Sequence, residues 1–509
     1  MWLRNRPDLP PLQGGPFWNR YPGLKPRAES CNPFGIRMKR PYGTPLVPDL
    51  ITHRHPLFPL PPVTPGDIVS LVAWRFARSR ELIVVARSGH GRTRPTGHNP
   101  MLNPKRTIAE LKELRALTGD ENGAQRVAFT ETWSRARAWL REKLQSLPLE
   151  IHSDPAGNVW ATLSGQSERS LLIGGHIDSV PNGGWLDGCL NLLAGVEILR
   201  RINEQYGGKP PVTVRLVDWA DEEGARFGKS LFGSSACSGN LDLEEARTLV
   251  DRDGVRLPDA LKKVGIDLER VKESGSELRN AAAYLELHIE QGPVLLDLGL
   301  PLGAVLGTFG VERHAITFHG QAAHSGSTPM NVRKDAFLAA AKMSPEIYRI
   351  AAAHSGVCTI GSCTTKPGIV TSVVEECRIT LDQRHLDATG LAKMLEAAKQ
   401  ASQKFAQEGN VRVAWERIWQ IEPVLFDPRL IDLCSEAIEE TCGKTHRLPS
   451  GPLHDAAEVA RAGIPTVMMF VQSLHGISHN KIEDTEEEHL ELCVTAFDRL
   501  AEKSLQLIT

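Results

Sequence analysis

The sequence predicts an α/β fold in which a mainly parallel sheet is interrupted by an inserted α+β unit. From about residue 148 onward, short apolar runs alternate with segments of helical periodicity, a pattern typical of a parallel sheet covered by helices. Near residue 310 the order changes to β-α-β-β-α-β, which is the order of a ferredoxin-like split unit. The first pattern then resumes, so we expect three parts at 101–308, 309–420 and 421–509.

The predicted core strands are short apolar runs that end in polar or turn-forming residues. Runs of this kind fit strands that are buried on both faces of a sheet. They lie at Val159–Leu163, Leu171–Gly175, Val212–Trp219, Ala283–Leu287 and Pro465–Val471. Helical spacing predicts helices at Arg106–Leu117, Phe129–Leu147 and Asp187–Ile202. After the inserted unit, the α/β core is expected to resume with the segments Pro428–Cys442 and Asp455–Gly463.

The inserted unit is predicted from four strands and two helices. The strands are expected at His314–His319, Gly356–Ser362, Glu376–Arg384 and Asn410–Trp415. The helices are expected at Arg333–Ala353 and Ala388–Gln407. Because the unit begins and ends inside the larger α/β part, it is an insertion in that part, and we expect it to close over the remainder as a lid.

The first 100 residues differ in composition from the rest of the chain. They hold 17 of the 34 prolines, and basic residues exceed acidic ones there by 15 to 5. Proline at this density breaks helices and removes ladder hydrogen bonds. We expect residues 1–100 to be a disordered or non-native extension, with translation starting at Met101; a basic targeting segment is the alternative.

The overall composition excludes several classes of protein. A formal net charge of −2 and a pI near 6.8 give no electrostatic reason to expect nucleic acid or a membrane as partner. No apolar stretch is long enough to span a bilayer. The nine cysteines contain no C-x-x-C pair, which is typical of reduced thiols in a cytoplasmic protein.

Two adjacent acids, Glu222 and Glu223, follow the buried strand Val212–Trp219. Adjacent side chains at a strand end diverge, so one carboxylate can face a metal while the other faces a water molecule. We interpret Glu223 as a metal ligand and Glu222 as the general base. The alternative is a solvated acidic turn, which its position after a buried strand disfavours.

Other ligand-type residues also stand at strand ends. His176 and Asp178 form an H-x-D pair, in which the carboxylate can accept the ring N–H of a metal-bound histidine. Asp187 precedes a predicted helix, so it is either an N-cap or a carboxylate that bridges two cations. His288 and His479 each follow a strand. Together these residues predict a hydrolytic two-metal site with one carboxylate left over as a base.

Three further residues fit the handling of a substrate. Gln291, in H-I-E-Q-G-P, can hydrogen-bond a substrate, and His324, in the inserted unit, can polarise a scissile carbonyl. Arg384 ends a predicted strand of the same unit, where its guanidinium can grip a carboxylate or form a surface ion pair with Asp382. The residues alone leave these two readings of Arg384 open.

With these motifs in place, residues 101–509 resemble the N-carbamoyl-L-amino-acid hydrolase, allantoate amidohydrolase and beta-ureidopropionase branch of the two-metal aminoacylase and carboxypeptidase superfamily. The resemblance is carried by GGHIDSVPNGG, LDG, DEEGARFG, LHIEQGP, GQAAHSGSTPMNVRKDA, DQRH, HDA and GISHN. The H-I-E-Q-G-P segment discriminates most, because peptidases of the superfamily place an acid where this chain has His288.

The resemblance implies a role for each matching position. The ligands of two divalent ions per subunit (zinc, manganese, cobalt or nickel) are His176, Asp187 as the bridge, Glu223, His288 and His479. Glu222 is the proton shuttle and Asp178 orients the first histidine. His324 serves the oxyanion and reaches into the active site of a partner subunit in a homodimer. Gln291 contacts the ureido end of the substrate, and Arg384 contacts its carboxylate.

The chain departs from the family pattern around the substrate. Thirteen residues before Arg384, relatives carry a substrate-binding Asn within N-x-I-P, where this chain has Thr371-Ser372-Val373-Val374. We expect Thr371 to take that contact. Trp185 and Leu186 replace a basic residue and a Tyr, and Pro452-Leu453 replace Ala-Gly. These departures leave the exact substrate open.

The implied function is that of a two-metal amidohydrolase that cleaves the C–N bond of an N-carbamoyl amino acid or a related ureido acid. Its partner is then a small ureido or amide acid, and neither nucleic acid nor a membrane. An allantoate amidohydrolase or an aminoacylase/dipeptidase is the first alternative. A non-catalytic binding homologue is the second, which the complete set of ligands and base disfavours.

Overall fold

The computed structural model describes residues 101–509 of the 509-residue chain. The predictions for residues 1–100 therefore lie outside the described residues. Among the helices of residues 101–509, none combines the length and the apolar composition that crossing a bilayer requires.

The described part of the chain contains fifteen strands and twelve α-helices. The strands are β1 Gly119–Asp120, β2 Gly123–Ala124, β3 Glu150–Ser153, β4 Val159–Leu163, β5 Ser170–His176, β6 Thr213–Trp219, β7 Ala281–Ile289, β8 Leu302–Thr308, β9 Gly310–His319, β10 Val357–Lys366, β11 Glu376–His385, β12 Arg412–Ile421, β13 Val424–Leu425, β14 Arg447–Ser450 and β15 Thr466–Val471. The helices are α1 Pro104–Thr118, α2 Glu131–Leu144, α3 Cys189–Gln205, α4 Phe232–Ser238, α5 Leu243–Thr248, α6 Leu257–Lys263, α7 Val294–Leu298, α8 Ala336–His354, α9 Ala388–Glu408, α10 Pro428–Cys442, α11 Asp455–Arg461 and α12 Glu487–Ile508. Turns of 3₁₀ helix lie at Val271–Leu278, Met330–Val332 and Leu474–Gly476.

The larger sheet is mixed, which corrects the prediction of a mainly parallel sheet. Its order is β13-β8-β15-β7-β5-β6-β4-β3, with β14 beside β8. The central strands β15, β7, β5 and β6 run parallel, whereas β8 is antiparallel to β15, and β4 is antiparallel to both β6 and β3. The connection from β3 to β4 is too short for the crossover that a parallel neighbour needs, so these strands form a hairpin.

The apolar runs of the centre are buried as predicted. Every residue of β5 is buried, as is every residue of β15, because helices cover both faces of this part of the sheet. Helix α3 packs on β5, and α12 packs on β7. In the parallel strands, the carboxyl ends meet at one edge of the sheet, and the side chains that follow them are therefore brought together.

A second, four-stranded sheet has the order β10-β11-β9-β12, and all of its strands are antiparallel. The chain order β9-α8-β10-β11-α9-β12 is the predicted β-α-β-β-α-β order, with longer strands than expected. Helices α8 and α9 cover one face and share a separate apolar cluster with it. The chain leaves the larger sheet at β8 and rejoins it at β13.

Two substantial elements were not predicted. Strand β8 contains glycines at Gly303 and Gly307, which obscure a strand pattern. Helix α12 follows a run of acids and carries its apolar residues on a single buried face. Both belong to the main core cluster, through residues such as Leu302 and Phe497.

Candidate metal centre

The carboxyl ends of the central parallel strands bring the five predicted metal ligands together. His176 is the last residue of β5, and His288 is the second-last residue of β7. Glu223 follows β6, and His479 follows β15 in a turn where its own φ is positive. Asp187 comes from the loop between β5 and α3. All of these except His479, which is half exposed, are buried or nearly so.

The ligand atoms form two groups that share one carboxylate. One group is His176, Asp187 and His288, the other is Asp187, Glu223 and His479, and the ligand atoms of each lie within 4.8 Å of one another. The first oxygen of Asp187 lies 3.0 Å from Nε2 of His288 and 3.7 Å from Nε2 of His176. Its second oxygen lies 3.5 Å from Nε2 of His479, which is 3.3 Å from a carboxylate oxygen of Glu223. Two groups joined through one carboxylate fit the binding of two neighbouring cations.

Asp187 does not cap the helix that follows it. Helix α3 begins at Cys189, and its N-terminal flanking residue is Gly188, which has a φ of 66° and makes no side-chain cap. A Cβ at Gly188 would lie 2.4 Å from atoms of His176, so this position requires glycine for space as well as for conformation. The turn therefore aims the carboxylate of Asp187 at the histidines instead of at the helix.

Asp178 is placed differently from the prediction. Its carboxylate lies 3.7 Å from Nδ1 of His176, beyond hydrogen-bonding distance, and that nitrogen instead contacts the backbone carbonyl of Asp178 at 3.2 Å. The two carboxylate oxygens accept the backbone N–H groups of Glu222 and Glu223, each at 3.2 Å. The positive φ of Asp221 turns this segment back over the end of β5. Asp178 thus holds the pair of acids in place, and the ring of His176 is oriented by a carbonyl.

Glu222 is a buried carboxylate beside the shared ligand. One of its oxygens lies 3.8 Å from Nε2 of His176, and the side chain lines a cavity of about 650 Å³. Burial raises the pKa of Glu222 well above its usual range, and the nearby carboxylates of Asp455 and Glu223 raise it further. A buried carboxyl group with a raised proton affinity is a candidate for general acid–base catalysis.

The histidines and the shared carboxylate attract one another, and each shifts the pKa of the other in the direction that favours its charged form. Burial alone would raise the pKa of Asp187, but the imidazoles of His288, His176 and His479 hold it below its ordinary value. Burial would lower the pKa of His288, but the carboxylate of Asp187 raises it to about 9. Burial lowers the pKa of His176 to about 4, so this ring is neutral and available as a ligand at neutral pH.

Arg384 reaches the cavity from the four-stranded sheet. Its guanidinium donates to Asp382 at 2.8 Å and to the backbone carbonyl of Gly451 at 3.0 Å. Arg384 therefore forms the ion pair with Asp382 and also lines the cavity wall, so the two alternatives are compatible. Pro452 and Leu453 line the same cavity, so the altered positions before His454 narrow it with apolar groups. Trp185 and Leu186, two further altered positions, are buried and do not line this cavity.

His324 and Thr371 are not brought to the metal ligands within this chain. Both lie beyond the far end of the four-stranded sheet, and neither lines the cavity. His324 is exposed and forms an isolated bridge with Ser372, and the N–H of Ser325 donates to the carbonyl of Thr371 at 2.9 Å. The two predicted substrate residues are thus neighbours, at a distance from the metal ligands of their own chain.

Gln291 lies in the centre but contacts a ligand. Its side-chain N–H donates to Asp187 at 2.9 Å and to Ser478 at 3.3 Å. Its φ of 58° turns the backbone so that the side chain points into the site. The amide oxygen of Gln291 is buried without a hydrogen-bond partner in the described residues, so one polar atom remains to receive a donor.

Sequence reasoning missed several residues that support the ligands. The carboxylate of Glu483 accepts the backbone N–H groups of Leu186 and Asp187, each at 3.1 Å, and the hydroxyl of Ser478 at 2.8 Å. The ring of His454 lies 4.3 Å from that of His288, centroid to centroid. His454 belongs to the HDA motif, and Ser478 to GISHN, so their motifs were noticed without a role being assigned. Only the contacts define that role.

Residues 172–503 match the model of peptidase family M20/M25/M40, which covers well over half of the chain. The chain belongs to this family. As a member, it is a metal-dependent hydrolase with an α/β fold. The two groups of ligand-type residues around Asp187 are where such a protein could hold its metal.

The chain is similar to several amidohydrolases over nearly their full length. It is 34% identical to the N-carbamoyl-L-amino acid amidohydrolase of Geobacillus stearothermophilus, with 76% of this chain and 95% of the relative covered. It is 31% identical to the allantoate amidohydrolase of Bacillus subtilis (strain 168), with 79% and 98% covered. A solved structure of an amidase of the hydantoinase/carbamoylase family from Burkholderia multivorans matches with a TM-score of 0.72 at 30% identity, covering 79% of this chain and 97% of that one.

The shared carboxylate should control metal binding. In Asp187→Ala, both groups lose a ligand at once, whereas His479→Ala removes a ligand from one group only. We expect elemental analysis after loading with zinc or manganese to find little metal in Asp187→Ala and an intermediate content in His479→Ala. Glu245→Ala, at the mouth of the cavity, is the control and should retain the wild-type content. Equal contents in all four proteins would contradict the shared site.

The metal-free protein should lose stability as the pH rises from 6.5 to 8. Burial raises the pKa of Glu286 and of Glu483 to about 7, and Asp187 raises that of His288 to about 9. In this window the folded state binds more protons than the unfolded state, so the free energy of unfolding falls with increasing pH. Urea unfolding of chelator-treated protein at several pH values measures the slope. A free energy that rises over this window would contradict the assignment.

Proposed function

We propose that this protein is a two-metal amidohydrolase that cleaves the C–N bond of an N-carbamoyl amino acid or a closely related ureido acid. The observation that carries the proposal is the position of Asp187, which belongs to both groups of ligand atoms and stands beside the free carboxylate of Glu222. The names of the relatives, N-carbamoyl-L-amino acid amidohydrolase and allantoate amidohydrolase, support the choice of substrate class.

The donor set suits two divalent cations of the first transition row. Three imidazoles and two carboxylates are ligands that zinc, manganese, cobalt and nickel accept. His176 and His288 would hold one ion, Glu223 and His479 the other, and Asp187 would be shared. Bound there, the ions supply Lewis-acid polarisation of the scissile carbonyl and a water molecule that is acidic near neutral pH.

Glu222 performs the proton transfers in this proposal. Its raised pKa lets it take the proton of the attacking water and return it to the departing nitrogen. The backbone of Glu222 is held by Asp178, which keeps the carboxylate facing the cavity. With an N-carbamoyl amino acid the products are the amino acid, carbon dioxide and ammonia.

In this proposal Arg384 binds the carboxylate of the substrate, and Gln291 contacts its ureido end. Arg384 retains N–H groups beyond those used by Asp382 and Gly451, because a guanidinium carries five donors. The unsatisfied amide oxygen of Gln291 can accept a ureido N–H. The carboxylate and the ureido group of one small molecule can thus be recognised from opposite sides of the cavity.

The four-stranded unit acts in this proposal as a lid and as the dimer contact of a homodimer. Arg384 links it to Gly451 of the larger part, so closing of the unit changes the cavity directly. His324 and Thr371 lie far from the centre of their own chain, and they would instead complete the site of a partner subunit, where His324 stabilises the oxyanion. Thr371 stands beside it.

A substrate panel separates this proposal from its alternatives. We expect metal-loaded protein to hydrolyse N-carbamoyl-L-amino acids with a higher kcat/KM than allantoate, N-acetyl amino acids or dipeptides. A preference for allantoate would identify an allantoate amidohydrolase, and a preference for the last two classes an aminoacylase or a dipeptidase. Absence of hydrolysis of every substrate, with metal bound, would show a non-catalytic homologue.

Replacing the proposed base should remove activity without removing metal. In Glu222→Gln we expect kcat to fall by about 10²–10⁴, the usual contribution of a general acid–base, because the amide cannot accept the proton. The metal content should remain that of the wild type, since Glu222 belongs to neither group of ligands. Glu245→Gln is the matched control on the same cavity. A kcat within a factor of a few of the wild type would exclude Glu222 as the base.

Arg384→Met should weaken binding of substrates that carry a carboxylate. We expect KM to rise by roughly 10–100-fold, which corresponds to a charge-assisted hydrogen bond of ~1.5–3 kcal/mol. Arg461→Met, which also lies on the cavity but pairs with Glu458, should leave KM nearly unchanged. For the corresponding amides, which lack the negative charge, we expect a much smaller difference in KM between wild type and variant. An equal effect on acids and amides would contradict the assignment.

A further inference from the structure

Two cysteines lie at diagonal positions on neighbouring strands of the four-stranded sheet. The sulfur atoms of Cys363 on β10 and Cys377 on β11 lie 3.6 Å apart. A disulfide bond joins sulfurs at about 2.05 Å, so a small side-chain movement brings them into bonding distance. We propose that Cys363 and Cys377 form a reversible disulfide, which makes this pair an oxidative modification site of the protein.

A β-bulge places the two thiols on the same face. Between Ile360 and Ser362 the register of β10 against β11 shifts by one residue. Before the bulge Ile360 is opposite the buried Leu381, and after it Cys363 is opposite the buried Ile379. Without the shift, the alternation of side chains would turn Cys363 to the other face. Cys377, two residues from Ile379, points to that same helix-covered face.

The two thiols differ in their access to solvent. Cys363 is exposed, whereas Cys377 is fully buried. Burial and the contact with Cys363 raise the pKa of Cys377 to about 12, so it remains a thiol at neutral pH. An oxidant from solution therefore meets Cys363 first, and Cys377 is placed to resolve the product.

The reaction balances with glutathione disulfide as the oxidant. The thiolate of Cys363 attacks one sulfur of glutathione disulfide, the S–S bond breaks, and one glutathione thiolate leaves. The sulfur of Cys377 then loses its proton, attacks the sulfur of Cys363 and displaces the second glutathione thiolate. Two protein thiols and one glutathione disulfide thus yield one protein disulfide and two glutathione molecules.

The disulfide would lie at the base of the hairpin that carries the predicted substrate residues, outside the ladder pair of Lys366 and Glu376 that bounds its loop. Residues 364–376 lie between the two cysteines, and they include Thr371 and Ser372, of which Ser372 bridges to His324. A cross-link restricts the conformations open to such a loop. The further consequence, a change in activity on oxidation, rests on the proposed role of Thr371 and His324 in the substrate site.

The test equilibrates the full-length protein with glutathione buffers of increasing oxidised fraction. Free thiols are then alkylated, and the protein is digested without reduction and mapped by mass spectrometry. We expect a cross-linked peptide containing Cys363 and Cys377, which dithiothreitol removes. Cys189 and Cys434 are buried and serve as internal controls that remain reduced.

Two variants make the outcome decisive. Cys363→Ser should give no cross-link, and Cys377→Ser should accumulate a mixed disulfide of glutathione with Cys363. In the wild type, a persistent mixed disulfide at Cys363, or two unmodified thiols under oxidising conditions, would overturn the proposal. Circular dichroism of both variants verifies that each is folded before it is scored.

Activity is measured on the same samples. We expect kcat/KM of the wild type to differ between the oxidised and reduced forms, and that of Cys363→Ser to be the same in both. A cross-link without this difference would refute the link to the substrate site while leaving the modification site in place. If the cross-link forms and no ureido or amide acid is hydrolysed, the proposed function fails and the modification site stands.

Discussion

The carboxylate of Asp187 is the interaction on which the rest of the centre depends. Its oxygens lie within 4 Å of ring nitrogens of His176, His288 and His479, and so it joins side chains at the ends of three strands. Its position is set by the backbone, through Gly188 on one side and the two N–H groups that Glu483 accepts on the other. A rigid turn is needed, because a shift of one ångström would break both groups of ligands together.

The buried charges around Asp187 make this arrangement favourable for cations. Glu222 and Glu223 lie in a cluster of carboxylates whose burial raises their pKa values, a sign that the unpaired charges are costly. Divalent ions would offset this repulsion, which couples metal binding to stability. The same acids that destabilise the bare fold are therefore the groups that, in the proposed function, would hold the metal and move the proton.

The sequence was sufficient to predict that the five ligand-type side chains meet, because each stands near the end of a recognisable apolar run and parallel strands bring their ends to one edge. The sequence was insufficient wherever the role of a residue depends on which atoms its side chain contacts. The sequence predicts that the carboxylate of Asp178 accepts the ring N–H of His176, yet its oxygens accept backbone N–H groups. Glu483 lies in an unremarkable acidic stretch, and only the fold brings it to Asp187. The mixed sheet was missed for a related reason: β8 carries no strand pattern, so its antiparallel pairing with β15 had no signal.

The length of β11 has a consequence for how the protein works in solution. Arg384 stands near one end of this ten-residue strand, beside Gly451, and the loop of Thr371 precedes the other end. At about 3.4 Å per residue the strand separates them by roughly 25–30 Å, too far for one small molecule to touch both in a single copy. If the substrate must contact both Arg384 and the loop of Thr371, turnover requires two associated chains. Dilution would then abolish activity while every metal ligand stays in place.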